Sequence, residues 1–172
     1  MTSSKLSIKR ELDRLFGAAR PTKWITRERP KIDRIACPWL ILRFIDSKAE
    51  FRYVPTKDVL AVAERELGVA YDIPGAPLEH GKGGCTFDAF IERFGLDAPG
   101  LAQLATIVRA ADTSHLDLAP EAPGLYAMSL GLSRMFADDH EMLRHGLVMY
   151  DALYAWILQA QDETHNWPPK TQ

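Results

Sequence analysis

The segment Lys31–Asp46, KIDRIACPWLILRFID, constrains the fold most, because six of the seven residues from Trp39 to Ile45 are apolar and only Arg43 interrupts them. A helix that apolar has to be covered on most sides, so the chain must build a core around it. Pro38 suits the first position of such a helix, where its missing N–H costs nothing and its fixed φ already matches the turn. That register makes Cys37 the N-cap. A thiol there feels the partial positive charge of the helix start, and Arg34 adds to it, so Cys37 is a candidate nucleophile. The alternative is a small buried cysteine behind an ordinary Asp33–Arg34 turn.

With 172 residues, 47% of them hydrophobic, the chain suits one compact domain. Residues 1–20 lack the unbroken apolar run of a secretory signal or a spanning helix, and Leu6, Leu12, Leu15 and Phe16 fit a short amphipathic helix. Trp24–Thr26 and Glu50–Val54 read as strands, the second ended by Pro55. Thr56 then caps a helix with Val59, Leu60, Val62, Ala63 and Leu67 as its stripe and Gly68 as its close, before a third short strand at Val69–Ile73. From Cys85 onward the pattern is helical. Thr86 caps Phe87–Phe94, Leu101, Leu104, Ala105 and Val108 recur at helical spacing, and Pro120 and Pro123 introduce a helix running through Met135. Asp138 and Glu141 stand at capping-box spacing before the last helix. There Leu143, Leu147, Tyr150, Tyr154 and Ile157 form a seam suited to a neighbouring helix or a second copy, so a homodimer through this helix is an expectation. The expected fold class is α+β, a predominantly helical single domain with a small N-terminal β-sheet and no parallel β-α-β series. Its parts are an N-terminal helix (1–20), the domain proper (21–162) and a polar tail (163–172).

Charge is divided unevenly. Residues 1–34 hold ten Lys and Arg against four Asp and Glu, whereas 35–172 hold eleven against nineteen. The basic leader mixes its cations with acids and lacks interleaved aromatics, so a solvated face is expected rather than a nucleic-acid partner. Two cysteines are too few for a disulfide framework, which points to a cytoplasmic chain with reduced thiols and no membrane partner.

Reactive groups crowd a second time in the loop Pro74–Gly84 and just beyond it. Glycines 81, 83 and 84 let backbone approach a ligand, and with Lys82 they form a candidate oxyanion cradle, although the GxxxxGK[ST] pattern of a nucleotide loop is missing. His80 is the best candidate metal ligand, with Glu79, Cys85 and Asp88 near it in sequence. Asp112 is the next: it ends a helix, where the dipole disfavours an anion unless a cation compensates, and otherwise it simply opens a loop. Cys37 and Cys85 are the candidate catalytic thiols, with His80 as their natural base. No HExxH, CxxC, GxSxG or GxGxxG is present.

Taken together, WITRERPKIDRIACPWLILRFID, FRYVP, HGKGGCTFD, IVRAADT and YDALYAW resemble the C-terminal, or stand-alone, domain of the chromate resistance protein ChrB family, over about Trp24–Trp156. The resemblance implies a link to chromate resistance; fuller members carry an extra N-terminal region and are described as chromate-sensitive regulators. Three readings follow. The first is a metal-dependent protein of chromate or oxidative-stress defence, an oxidoreductase if the metal is redox-active toward an oxyanion or superoxide. Asp33, His80 and Asp112 are then its ligands, and Arg27, Arg29 and Arg34 attract a small tetrahedral oxyanion such as chromate. Mixed imidazole and carboxylate ligation suits manganese, iron or zinc. The second is a non-catalytic sensor of chromate or metal. A reductase using Cys37 and Cys85 is the third.

Overall fold

Trp24 and Ile25 are neighbours on one strand, point to opposite faces and are both fully buried, so the sheet they belong to is covered on both sides. The computed structural model, which describes residues 3–80 and 84–164, places them in β1 (Lys23–Arg27), the centre of a three-stranded sheet. β2 (Glu50–Val54) and β3 (Val69–Ala70) flank it in the order β2-β1-β3. Both pairings are parallel, with Trp24 opposite Phe51 on one side and Val69 on the other.

Parallel neighbours need crossovers, and helices α2 (Asp33–Leu40) and α3 (Val59–Arg65) supply them. The chain therefore contains the parallel β-α-β series that the sequence pattern did not suggest. Two causes hid it: β3 is only two residues long, and a strand buried on both faces shows a continuous apolar run rather than alternation. Ile25 and Ala70 pack on Val59, Val62 and Ala63 of α3. Trp24 faces the larger core, where its ring meets Phe16, Tyr71, Phe90 and Phe94.

Helix α2 begins at Asp33, not at Pro38, so Cys37 is an interior residue rather than an N-cap. An interior proline costs a helix about 3 kcal/mol or more, in part because the carbonyl four residues back loses its donor. Here that carbonyl belongs to Arg34, and the Tyr53 hydroxyl donates to it at 3.2 Å. Two residues earlier the Tyr150 hydroxyl donates to the Ile32 carbonyl, also at 3.2 Å, where the backbone turns into the helix at φ 31°. Two tyrosines thus fix the carbonyls on either side of Asp33. The helix runs on into a π-helical turn, Ile41–Ile45, and Trp39 and Arg43 both donate to Asp151.

The remaining helices are α1 (Ser3–Phe16), α4 (Thr86–Phe94), α5 (Leu101–Asp112), α6 (Ala122–Met135) and α7 (Asp139–Gln159). α1 packs on α4, tied by the Glu11–Arg93 ion pair. Cys85, not Thr86, occupies the N-cap of α4. On α7, Leu143, Tyr150 and Ile157 are buried, and the helix packs on α2, α5 and α6. That seam is filled by the chain's own helices, so it is not the free surface that the expectation of a homodimer rested on. Among the described residues no helix is long and apolar enough to cross a membrane.

Candidate functional site

β1 ends at Arg27, β3 is followed by Tyr71-Asp72, and α2 starts with Asp33-Arg34, so four charged side chains meet at the carboxyl ends of parallel strands. This is the general location of ligand sites in sheets of this kind. Asp72 organises the cluster. Its Oδ2 accepts from Arg27 Nη2 at 2.9 Å and pairs with Arg34 Nε at 3.7 Å, while its Oδ1 accepts from Thr86 Oγ1 at 2.9 Å. The backbone at Asp72 is left-handed, φ 55°, a conformation that aspartate tolerates better than most residues.

Asp33 lies deeper, with 2% of its surface exposed. Its Oδ2 accepts from the Thr86 backbone N–H at 2.6 Å, capping the first turn of α4. Its Oδ1 is buried without a hydrogen-bond partner. Burial, then the charges of Asp112 and Asp72, push the Asp33 carboxyl well above the usual range; hydrogen bonds from the Thr86 amide and the Cys85 thiol pull the other way. Asp112 is the last residue of α5, exposed to solvent yet near enough to Asp33 for the two charges to interact. Partial desolvation, then the charge of Asp72, raise its carboxyl, and the Asp33 backbone amide, Arg34 and His80 oppose the rise. Carboxyls in this state need a proton or a cation to neutralise them.

Several sequence-predicted residues therefore meet. Asp33 and Asp112 are electrostatic neighbours, Arg27 and Arg34 share one carboxylate, and exposed His80 is close enough for its charge to act on Asp112. Arg29 does not join them. Its guanidinium donates to the carbonyls of Ser133, Phe136 and Ala137 and to Asp139, which fixes the α6–α7 connection instead. Lys82, with Gly81 and Gly83, lies outside the described residues. Cys37 is fully buried, and burial, then the Asp33 charge, push its thiol well up; the same two causes raise Cys85, so the thiolate expected at Cys37 is not favoured. Among the described residues no three His, Cys, Asp or Glu side chains already stand together as a metal cage. Asp72 and Thr86 were not picked out from sequence. The signal that would have found Asp72 is its place just past a parallel strand, which required recognising the strand as parallel.

The fold and the site define a small α+β domain with a buried acidic cluster held by two arginines at the carboxyl edge of a parallel sheet. Residues 24–157 match the family model described as ChrB, C-terminal domain. The chain is also 34% identical over 133 residues to Protein ChrB of Cupriavidus metallidurans, an alignment that covers 77% of this chain and 40% of that protein. The chain belongs to the ChrB C-terminal domain family and spans well under half the length of that relative. No solved structure matches it.

Proposed function

We propose that this chain serves chromate or oxidative-stress defence as a metal-dependent domain, with Asp33 and Asp112 as its carboxylate ligands and His80 as the imidazole that joins them. The supporting observation is the Asp33 carboxylate, buried with Oδ1 unpartnered and crowded by two further carboxyls. A divalent cation there satisfies the orphaned oxygen and removes the repulsion together. Because no finished cage stands among the described residues, binding draws the donors together instead of docking the ion into a preset geometry. Imidazole and carboxylate donors suit manganese, iron or zinc. Such a metal, when bound, supplies Lewis-acid or redox chemistry toward an oxyanion or superoxide. Arg27 and Arg34, which share the single Asp72 carboxylate as their ion-pair partner, attract a small oxyanion such as chromate to the same edge.

The test is metal content after purification without added metal, followed by calorimetric titration with manganese, ferrous iron and zinc. Near-stoichiometric binding that Asp33→Asn abolishes is the expected outcome. A protein that holds no transition metal and takes up none of the three overturns the reading. Burial of Asp33 favours, as a second reading, a sensor that binds without turnover; saturable chromate binding with no chromate consumed distinguishes it. The cysteine reductase has the least support, since both thiols are buried and held protonated.

A further inference from the structure

We infer that Cys85 is the sulfur ligand of this metal site, so that the site takes a thiophilic divalent ion such as zinc or ferrous iron in preference to manganese or magnesium. The inference rests on the metal reading above and goes beyond it by adding a donor and narrowing the ion. Cys85 is the N-cap of α4, and the next residue, Thr86, donates its backbone N–H to Asp33 Oδ2 at 2.6 Å. The same short segment, two consecutive residues, therefore carries the thiol and anchors the buried carboxylate. Asp33 Oδ1, buried and unpartnered, is the independent sign that a ligand belongs beside this sulfur.

A thiol must lose its proton to bind a metal; burial and the neighbouring carboxylates keep Cys85 protonated in the metal-free chain, so the charge of the incoming ion drives the loss and Asp88 offers the proton a way out. Cys85 Sγ lies 3.4 Å from Asp88 Oδ2, which also accepts from the Cys85 N–H at 3.1 Å and pairs with Arg109 Nε at 3.1 Å. On binding, the S–H bond breaks, the sulfur lone pair forms the bond to the metal, and the proton passes to the Asp88 carboxylate and then to solvent, which Asp88 reaches with 28% of its side chain exposed. No oxidant or reductant is required. Cys37, one turn after Asp33 on α2, is fully buried and has no carboxylate among its hydrogen-bond partners, so it is not assigned to the metal. Thiolate and carboxylate together select zinc or ferrous iron over the harder ions.

Cobalt(II) titration of the full chain tests this, because thiolate ligation gives a strong near-ultraviolet charge-transfer band that oxygen and nitrogen donors do not. The expected result is a saturable band at one equivalent of cobalt, lost in Cys85→Ser and kept in Cys37→Ser, with the circular dichroism of both variants unchanged. Cys85→Ser should also weaken zinc binding by at least about 10- to 100-fold, the loss that removing a mere outer partner of a ligand already produces, while leaving manganese binding nearly unaltered. Cobalt bound with visible bands alone, equally in wild type and Cys85→Ser, overturns the sulfur ligand while the metal reading stands. A charge-transfer band that depends on Cys37 overturns it too. No cobalt binding at all overturns both.

Discussion

Gly146 on α7 faces Ile35 on α2, and Gly146→Ala tests whether that close approach sets the position of the site. A Cβ at Gly146 would collide with the Ile35 Cγ2 methyl and sit 3.6 and 3.7 Å from two further Ile35 carbons. Ile35 is fully buried, and as a β-branched residue in a helix it has essentially one side-chain rotamer, so it cannot swing aside. Overpacking of this kind costs typically about 1–3 kcal/mol, and the locked methyl places it near the top of that range. Helix propensity returns about 1 kcal/mol for Gly→Ala. The net is a loss of about 2 kcal/mol, or a fall in Tm of about 4–8 °C for a chain of this size. Gly131→Ala on α6 is the matched control: nothing lies within 4 Å of its new Cβ, so it should raise stability by about 1 kcal/mol. Urea and thermal unfolding of both variants give the comparison. Since Ile35 lies two residues from Asp33, Gly146→Ala should also weaken metal binding, and an Ile35→Ala background should remove its added penalty. Equal stability of wild type and Gly146→Ala, or a gain matching Gly131→Ala, would refute the packing argument.

Three other outcomes follow from the same geometry. Tyr53→Phe leaves the Arg34 carbonyl without the donor that compensates for Pro38, and should cost about 1–3 kcal/mol in urea unfolding; an unchanged midpoint means that water replaces the hydroxyl without loss. The hydrogen bond from Arg43 holds the Asp151 carboxyl below its ordinary range, so its contribution is present above the unfolded carboxylate pKa of about 3.9 and is lost as pH falls through the lower native value. The pair is half exposed and amounts to about 0.2–1 kcal/mol, so the Tm difference between wild type and Asp151→Asn should be small at pH 7 and vanish in acid; a difference that grows in acid contradicts the sign. In the native metal-free protein, Cys37 and Cys85 should react with Ellman's reagent only at the rate of unfolding, and rapid labelling of either thiol would show that it is reachable.

The helices were legible because long amphipathic segments carry their own caps and period. Asp138 accepts from the Glu141 N–H at the start of α7, as their spacing suggested, and Gly95 closes α4 at φ 59°. Asp112 was legible through its unfavourable place at a helix C-terminus. The start of α2 was not, because the local rule for proline was outweighed by a hydroxyl from β2, a contact between residues 19 positions apart. Arg29 was misread for a similar reason: an arginine beside other cations suggests an anion, but three carbonyls and a carboxylate near residues 133–139 hold it.

By itself the sequence determined a mostly helical α+β domain wrapped around the apolar stretch after Asp33, since periodicity and burial demand are local properties of the chain. It also carried the motifs of the ChrB family. Only the tertiary structure decided that the small sheet is parallel, that Asp72 locks Arg27 to Arg34, and that Cys37 is inert core while Asp33 holds a bare buried oxygen. Those properties depend on which distant groups remove water from a side chain or supply its partner. No residue encodes them alone.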